Sequence, residues 1–453
     1  MSGCNSLAIN SRHVRVRKIS PLLLLVIAII LPIRIYGDPS QPPVAQPEVL
    51  SLDQCLSQAF QNYKMIQEDE KNVVIAQEGV HQAQGAFLPT FGVSLTSNDS
   101  DVSKEIDYST GALAQDYYTG GVNGTLPIDV SGGRTATLKL AKLKLASTQE
   151  TLRKDKQTLT YTIINDYYQV WLAEKELGVQ QASYNDMDLH FQSIQYQYQA
   201  GKASKYDLSQ AQVQRDIIKP KILSAMNTLA LNKLQLATDV GLPKEQGFTV
   251  SYDDSKLQIP NEADVQLDNL LATAYQNRPE MRQYFQNIEM SKVQTQIDAA
   301  GYKPNLSISL AYNGNNSNLS TNGWYPYWTL AATISDIFYD GNVTHSKVVQ
   351  DKTAVEVNSL KEADLRDQIR LGAQQALQNL GNSIEQTRAN QSSIDLARET
   401  LDMDQTRYTA GLATTIDIMD DEVSLDTYLD NYYEGIVSYL LARANLDLVT
   451  GKD

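Results

Sequence analysis

The chain of 453 residues has only two cysteines, and after its first 37 residues it has no apolar run long enough for a transmembrane helix. Cys4 precedes the first apolar run and would be removed with it. Cys55 would then stand alone, so no internal disulfide is expected. No cysteine follows that run at a lipidation-type cleavage site, and we therefore expect no lipid anchor.

The sequence also lacks the motifs of common enzymes and metal sites. Its four histidines, His13, His81, His190 and His345, are far apart and show no His-x-x-x-His spacing. There is no P-loop, no dinucleotide fingerprint and no Gly-x-Ser-x-Gly elbow. We predict that the chain is not an enzyme, has no catalytic or metal-binding residues and needs no cofactor, so ATP-driven work would require a partner.

Positive charge is scarce, since the sequence has 38 basic and 53 acidic residues and a net charge of -15. The first 37 residues form a signal peptide by pattern, with four basic residues from Arg12 to Lys18, an apolar stretch at 22–31 and a small residue at Gly37. An uncleaved membrane anchor is the alternative. Removal of 1–37 takes away five basic residues and changes the net charge to -20, which disfavours binding to nucleic acid.

The most informative pattern is a long internal repeat. The segment 52–62 returns at 267–277, and the segment 198–201 returns at 408–411. Pro89 and Pro304 keep the first offset. We predict an internal duplication, with an extended lead-in at 38–51, a first repeat at 52–242, a connector at 243–265 and a second repeat at 266–453.

Each half shows the same order of predicted elements. Helical patterns at 52–87 and 267–302 end near a proline, and alternating apolar residues then predict strands near 91–95 and 306–312. A polar turn and a return strand follow, near 118–128 and 328–334. Long helical patterns begin after glycine-containing turns, cover 134–200 and 343–410, and would each reach about 100 Å. A last helix closes each half, at about 204–240 and 414–450.

The four strands are about ten residues long and alternate apolar with small polar residues, as transmembrane β-strands do. Half-buried strands of soluble sheets show the same alternation. The signal peptide and the aromatic residues Trp324, Tyr325, Tyr327 and Trp328 favour the membrane. Four strands cannot close a barrel in lipid, so the chain must oligomerise. Two copies would supply eight strands and three would supply twelve, and the residues do not choose between them.

These features resemble the TolC-like outer-membrane efflux family over essentially the whole chain after the signal peptide. The resemblance is carried by the duplicated layout, by the Asp340-Gly341 turn and above all by the segment 408–420, which reads YTAGLATTIDIMD. It implies an α+β membrane protein that forms a homotrimer, with a 12-stranded β-barrel in the lipid of the outer membrane and a long periplasmic α-helical barrel. Such a protein is the passive exit duct of a tripartite efflux pump or type I secretion system. Its partners are a periplasmic adaptor protein and an inner-membrane transporter.

The resemblance also implies where the adaptor docks. The turns between helices at the tip of the family's tunnel carry a Val-Gly-Leu-like motif, and the matching positions here are Gly201-Lys202 and Gly411-Leu412. Alanine replaces valine in both turns, and Lys202 replaces one leucine. Docking is expected at these turns, but these residues do not identify which adaptor binds there.

Asp417 and Asp420 match the family's two pore-facing aspartates, which form acidic rings that favour cations. Residues three apart lie on one helix face, and a symmetric oligomer turns such a pair into rings of like charge. The alternative is a solvated acidic helix start that suits the helix dipole. The family's tip network of Tyr, Arg and Asp falls on Tyr408, Ala413 and Asp207, and the missing arginine predicts a tip that is closed differently or less tightly.

A structural coiled-coil oligomer at the surface or in the periplasm, with no role in transport, is the rival hypothesis. The leucines at 138, 145, 152 and 159 stand seven apart and suit a coiled coil. That hypothesis leaves the four alternating strands without a purpose. Neither the residues nor the resemblance identifies the transported substrate, because a wide water-filled tunnel makes few specific contacts.

Overall fold

The computed structural model describes residues 48–98, 117–242, 248–252, 266–316 and 325–452. The predicted signal peptide, most of the lead-in, most of the connector and Trp324 lie outside the described residues.

The described residues form helices and strands in an order that occurs twice. The first set is β1 (Glu48–Leu50), α1 (Leu52–Asn62), α2 (Lys64–Gly85), β2 (Thr90–Asn98), β3 (Tyr117–Ile128), α3 (Gly133–Gln199) and α4 (Lys205–Val240). The second set is β4 (Phe248–Val250), α5 (Leu267–Asn277), α6 (Pro279–Ala299), β5 (Asn305–Asn316), β6 (Tyr325–Ser335), α7 (Val343–Thr409) and α8 (Thr415–Thr450). A 3₁₀ turn, Ala300–Tyr302, precedes β5.

The predictions of one continuous helix at 52–87 and at 267–302 are wrong, because each region contains two helices. Tyr63 and Arg278 adopt extended backbone angles and separate the helices. Pro279 explains the second break, since a residue before proline is driven out of the helical region. At the first break no proline is present, and the extended Tyr63 packs against a buried apolar cluster. The break between α1 and α2 therefore coincides with the packing of Tyr63 against other elements.

The four longer strands form one antiparallel sheet in the order β2-β3-β5-β6. Its alternating apolar side chains point away from the rest of the chain: Val93 is 83% exposed and Leu330 is 64% exposed. The other strands of this sheet also expose apolar residues on this face. β2 and β6 end the sheet, and each pairs with one neighbour among the described strands.

No helix in the described part of the chain is both long enough and apolar enough to cross a membrane.

The long helix α3 is central to the helical layer. Near the sheet it packs against α2 and α6, and α6 packs against α7. Farther from the sheet it packs against α4 and α8, and α8 packs against α7. The helices therefore lie in the order α2, α3, α6, α7 near the sheet and α4, α3, α8, α7 beyond it. α7 lies at one side of this layer, and α2 and α4 lie at the other.

Buried clusters hold the layer together midway along the long helices. Ile163 and Tyr167 of α3 pack with Leu236 of α4, with the fully buried Cys55 of α1 and with the short parallel pair β1 and β4. Trp171 is 2% exposed and packs with the middle of α7 and α8. Replacement of such a buried aromatic ring by alanine costs about 3–5 kcal/mol. The two helical hairpins, α3–α4 and α7–α8, are thus fixed to each other through α3.

Strands pass into the long helices through short, capped junctions. Asp129 follows β3 and accepts hydrogen bonds from the backbone N–H groups of Arg134 (3.2 Å) and Thr135 (2.8 Å). Asp340 follows β6 and accepts one from the N–H of Thr344 at 2.7 Å. Hydrogen bonds from the side chain and the backbone of Thr344 lower the pKa of Asp340. Both carboxylates satisfy backbone donors that a helix start leaves open. The junctions between the sheet and the long helices are therefore short and held by hydrogen bonds.

Candidate functional site

The ends of the two hairpins that lie farthest from the sheet carry the residues singled out in the sequence, and we call this region the tip. Gly201 and Gly411 have φ values of 73° and 76°, in the left-handed region that favours glycine. The N–H of Lys202 donates to the carbonyl of Gln197, and the N–H of Leu412 donates to that of Arg407, both at 2.8 Å. Each turn is thus a Schellman motif that ends one helix and exposes the next residue.

Asp207 and Asp417 occupy equivalent positions at the starts of α4 and α8. Asp207 accepts hydrogen bonds from the backbone N–H of Ser204 at 3.0 Å and from its hydroxyl at 2.7 Å. Asp417 accepts the same pair from Thr414, at 2.7 and 2.8 Å. These bonds form capping boxes, and they lower the pKa of both carboxyl groups. Asp417 is exposed and Asp207 is partly exposed, and both carboxylates stay ionised at neutral pH.

Asp420 lies one turn beyond Asp417 on the exposed side of α8. Ile418 and Met419, between them, are buried against the rest of the tip. The packing of these two apolar residues directs both aspartates away from the protomer's own core. Two carboxylates are thereby presented together at the start of one helix.

Tyr408 lies in the last turn of α7 and is half-buried. Its ring packs against a cluster that includes Met187 and Ile194 of α3 and Met419 of α8. Asp207 has its hydrogen-bond partners in its own hairpin, at Ser204. The structure therefore brings Tyr408 and Asp207 to the same tip but gives them separate partners.

Arg407, in the last turn of α7, is a tip residue that the family pattern did not indicate. Its guanidinium lies 2.6 Å from the carboxylate of Asp404 and donates to the carbonyl of Leu412 at 3.4 Å. Its charge also helps to lower the pKa of Asp417. An arginine is thus present at this tip, six positions before the alanine that occupies the family's arginine position. Arg407 makes these bonds within its own hairpin, and they stabilise the turn between α7 and α8.

A row of carboxyl groups along α8 was also not predicted from the sequence. Burial, together with the smaller effect of the charges of Asp186 and Asp426, raises the pKa of Glu422 to about 7. Burial raises that of Asp430 to about 6, with smaller contributions from Glu176 and Asp426. The acidic run after position 417 was visible in the sequence, but its proximity to acids of α3 arises from packing between hairpins. Within the described residues, no group of three or more histidine, cysteine or acidic side chains could hold a metal ion.

Comparisons with known proteins agree with this geometry. The model of the family described as "Outer membrane efflux protein" matches residues 55–241 and 270–452. The chain is 21% identical over 385 residues to the pyoverdine export outer membrane protein OpmQ of Pseudomonas aeruginosa, covering 83% of this chain and 79% of that protein.

Solved structures of outer-membrane proteins share the fold. The outer membrane protein VceC from Vibrio cholerae matches with a TM-score of 0.75 at 17% identity, over 88% of this chain and 96% of that one. The open state of the MtrE outer membrane channel of Neisseria gonorrhoeae matches with a TM-score of 0.70 at 14% identity, over 88% and 89%. The family match covers both halves of the chain, including the sites at the tip. The chain belongs to the outer membrane efflux protein family and is an efflux channel of the outer membrane.

Proposed function

We propose that the chain forms a homotrimer whose twelve strands close a β-barrel in outer-membrane lipid and whose helices form a periplasmic α-helical barrel. The observation that carries this proposal is the four-stranded sheet, which has an exposed apolar face, has two edges that no other described strand covers, and is joined directly to the long helices. Free strand edges are not tolerated in lipid, and four strands do not close. Three copies supply twelve strands.

The sides of the helical layer support the same assembly. α4 exposes an apolar stripe that includes Val213, Ile217 and Leu231, and α7 exposes Leu360 and Leu371. These helices lie at opposite sides of the layer, so α4 of one copy can pack against α7 of the next. Such stripes on long, otherwise polar helices are typical of surfaces that become buried on association. The sheet edges and the helix edges then close around one axis.

The proposal includes an internal duplication, with repeats at 52–242 and 266–453. The order of elements, the capping boxes at Ser204 and Thr414 and the paired tip glycines support it. The connector at 243–265 then links the two halves. Two similar halves per chain give a trimer six similar hairpins around the tunnel.

The tip is the proposed gate and docking site. Asp417 and Asp420 of three copies would form two acidic rings that select cations, with Asp207 and Tyr408 beside them. The exposed turns at Gly201-Lys202 and Gly411-Leu412 would contact a periplasmic adaptor. An inner-membrane transporter would supply the energy, and the channel itself would conduct passively.

Detergent extraction tests the proposal directly. The protein purified from outer membranes should have the mass of three chains by light scattering and should conduct in planar lipid bilayers. A variant with a lysine in place of Val93 should assemble poorly, whereas one with a lysine in place of Ser94, on the other face of β2, should assemble. A monomer that stays soluble without detergent and shows no conductance would overturn the proposal in favour of a coiled-coil protein.

A further inference from the structure

At the tip, the second hairpin is held to the first by a small apolar cluster. Met187 and Ile194 of α3 are buried in it, with Ala211 and Ile218 of α4. Met419 of α8 and Tyr408 of α7 enter the same cluster from the second hairpin. Any movement that separates the hairpins at the tip must withdraw these two side chains.

His190 of α3 faces Tyr408 across this contact. The two ring centroids are 5.9 Å apart, and the rings are inclined by 56°. The Nε2 atom of His190 is buried and has no hydrogen-bond partner within the described residues. A buried nitrogen with no acceptor beside it would carry a proton only at a cost in free energy. The imidazole therefore packs against Tyr408 in its neutral form.

Several charged groups near His190 pair with each other. On the first hairpin, Arg215 of α4 lies 3.2 Å from Asp188 of α3 and stacks on Phe191, at 4.3 Å from the ring centroid. Burial lowers the pKa of His190, and no charged side chain of the described residues contributes to that shift.

On the second hairpin, Asp404 and Arg407 of α7 form an ion pair. Asp421 of α8 faces Asp404, and burial, together with the charges of Asp404, Asp417 and Asp420, raises its pKa. Tyr408 of α7, itself a titratable group, faces His190.

We propose that His190 is a positioning residue of the gate: its neutral ring holds the first hairpin to the second through Tyr408, and its protonation releases that contact and opens the periplasmic end of the channel. The inference rests on the proposed function, in which the tip is the gate. It also offers an answer to how this tip closes with alanine at position 413, since an aromatic contact takes the place of a charged link.

The direction of the pH effect follows from linkage. The ordinary pKa of histidine is about 6.5, and the closed tip holds the proton less tightly than an open tip in which the ring meets water. As the pH falls below that value, the open state binds more protons than the closed state. The ratio of open to closed channels then rises by up to about tenfold per pH unit and per protomer.

The carboxyl groups at the tip act in the opposite direction. Asp421 and Glu422 have raised pKa values, and their protonation in acid removes repulsion between helices and favours closure. The net response of the wild-type channel therefore mixes two opposing effects. A comparison with a variant that lacks only the imidazole separates them.

The experiment measures conductance of the full-length protein in planar bilayers at about pH 7.5 and about pH 5.5, on either side of the histidine pKa. H190F keeps an aromatic ring against Tyr408 but cannot take a proton. We expect equal conductance of wild type and H190F at the higher pH, and a several-fold higher conductance of wild type at the lower pH. H190L repeats the test with a side chain of different shape. His81 and His345 are exposed on α2 and α7, so H81Q and H345Q should match wild type.

The outcomes separate this inference from the proposed function. Identical pH profiles for wild type, H190F and H190L would overturn the role of His190. Y408A, which removes the ring that His190 contacts, should conduct at both pH values. If neither Y408A nor wild type conducts at either pH value, the proposal of a gated channel is wrong and the inference is wrong with it. If Y408A conducts and the pH profiles of wild type and H190F coincide, the inference alone is wrong.

Discussion

The carboxylate of Asp417 accepts hydrogen bonds from both the backbone N–H and the hydroxyl of Thr414, at 2.7 and 2.8 Å. Asp420 lies one turn further along α8 and makes no such capping bonds. The two aspartates matched to the family's acidic rings therefore differ in their local roles. Asp417 both starts a helix and presents charge, whereas Asp420 presents charge.

The double substitution of Asp417 and Asp420 by asparagine should reduce the selectivity of the channel for cations. Six carboxylates around a narrow constriction raise the local concentration of cations, and asparagine removes that charge with little change of shape. The measurement is the reversal potential in a potassium chloride gradient. D402N removes an exposed carboxylate of α7 outside the proposed rings and should leave the potential unchanged. An unaltered reversal potential in the double variant would contradict the proposed rings.

The pH dependence of this selectivity should follow the capping bonds. The hydrogen bonds from Thr414 hold the pKa of Asp417 below its ordinary value of 3.8, so its charge is lost only when the pH falls through that lowered pKa. Replacement of Thr414 by valine removes the hydroxyl donor and should bring the loss of selectivity back toward the ordinary pKa of a carboxyl group.

Replacement of Glu422 by glutamine should stabilise the protein at neutral and alkaline pH. Burial is the main reason that the pKa of Glu422 rises from 4.5 to about 7, so the folded protein holds this proton more tightly than the unfolded chain does. Stability linked to Glu422 is therefore present below pH 4.5 and is lost as the pH rises toward 7. Allowing for its partial exposure, E422Q should gain about 1–2 kcal/mol at pH 8.

Thermal unfolding at about pH 5 and about pH 8 checks this prediction. E385Q changes an exposed glutamate of α7 that pairs with Arg388, and it should shift the unfolding temperature little at either pH. A gain for E422Q that is as large at pH 5 as at pH 8 would show that the pKa of Glu422 is not the cause.

Replacement of Leu412 by alanine should weaken adaptor binding. Leu412 is 71% exposed at the turn of the second hairpin, and burial of an exposed apolar side chain against a partner favours binding. A loss of about tenfold corresponds to about 1.4 kcal/mol. Binding of an adaptor from the neighbouring coding sequences measures the effect. F285A removes an exposed ring of α6 near the sheet, and the docking proposal is wrong if it weakens binding as much as L412A does.

Replacement of Gly435 by alanine should loosen the second hairpin. A Cβ atom at Gly435 would lie 2.5 Å from the hydroxyl oxygen of Thr387, which is 1% exposed in the contact between α7 and α8. Overpacking of this kind costs about 1–3 kcal/mol. Gly372 also lies within α7 but has open space around it, so G372A should stabilise by about 0.5–1 kcal/mol. Chemical denaturation in detergent should give opposite signs for the two variants.

The sequence allowed the elements of the fold to be predicted because their signals are local. Alternation around Leu310 predicted a strand, and β5 covers that position. Glycines at 201 and 411 predicted the tip turns, since the left-handed backbone there favours glycine. The break at Tyr63 had no such signal, because the residue is ordinary in sequence and its extended backbone accompanies packing against other elements.

The contacts that set the chemistry of the tip required the tertiary structure. His190 and Tyr408 are more than 200 residues apart, as are Asp186 and Glu422, and no local pattern indicates that they meet. Apart from the breaks at Tyr63 and Arg278, the sequence by itself determined the order of helices and strands and the turns between them, because propensity, period and turn chemistry act over a few residues. Only the tertiary structure decided which helices are neighbours, which carboxyl groups lose water and which edges remain free, because burial depends on packing between distant parts of the chain.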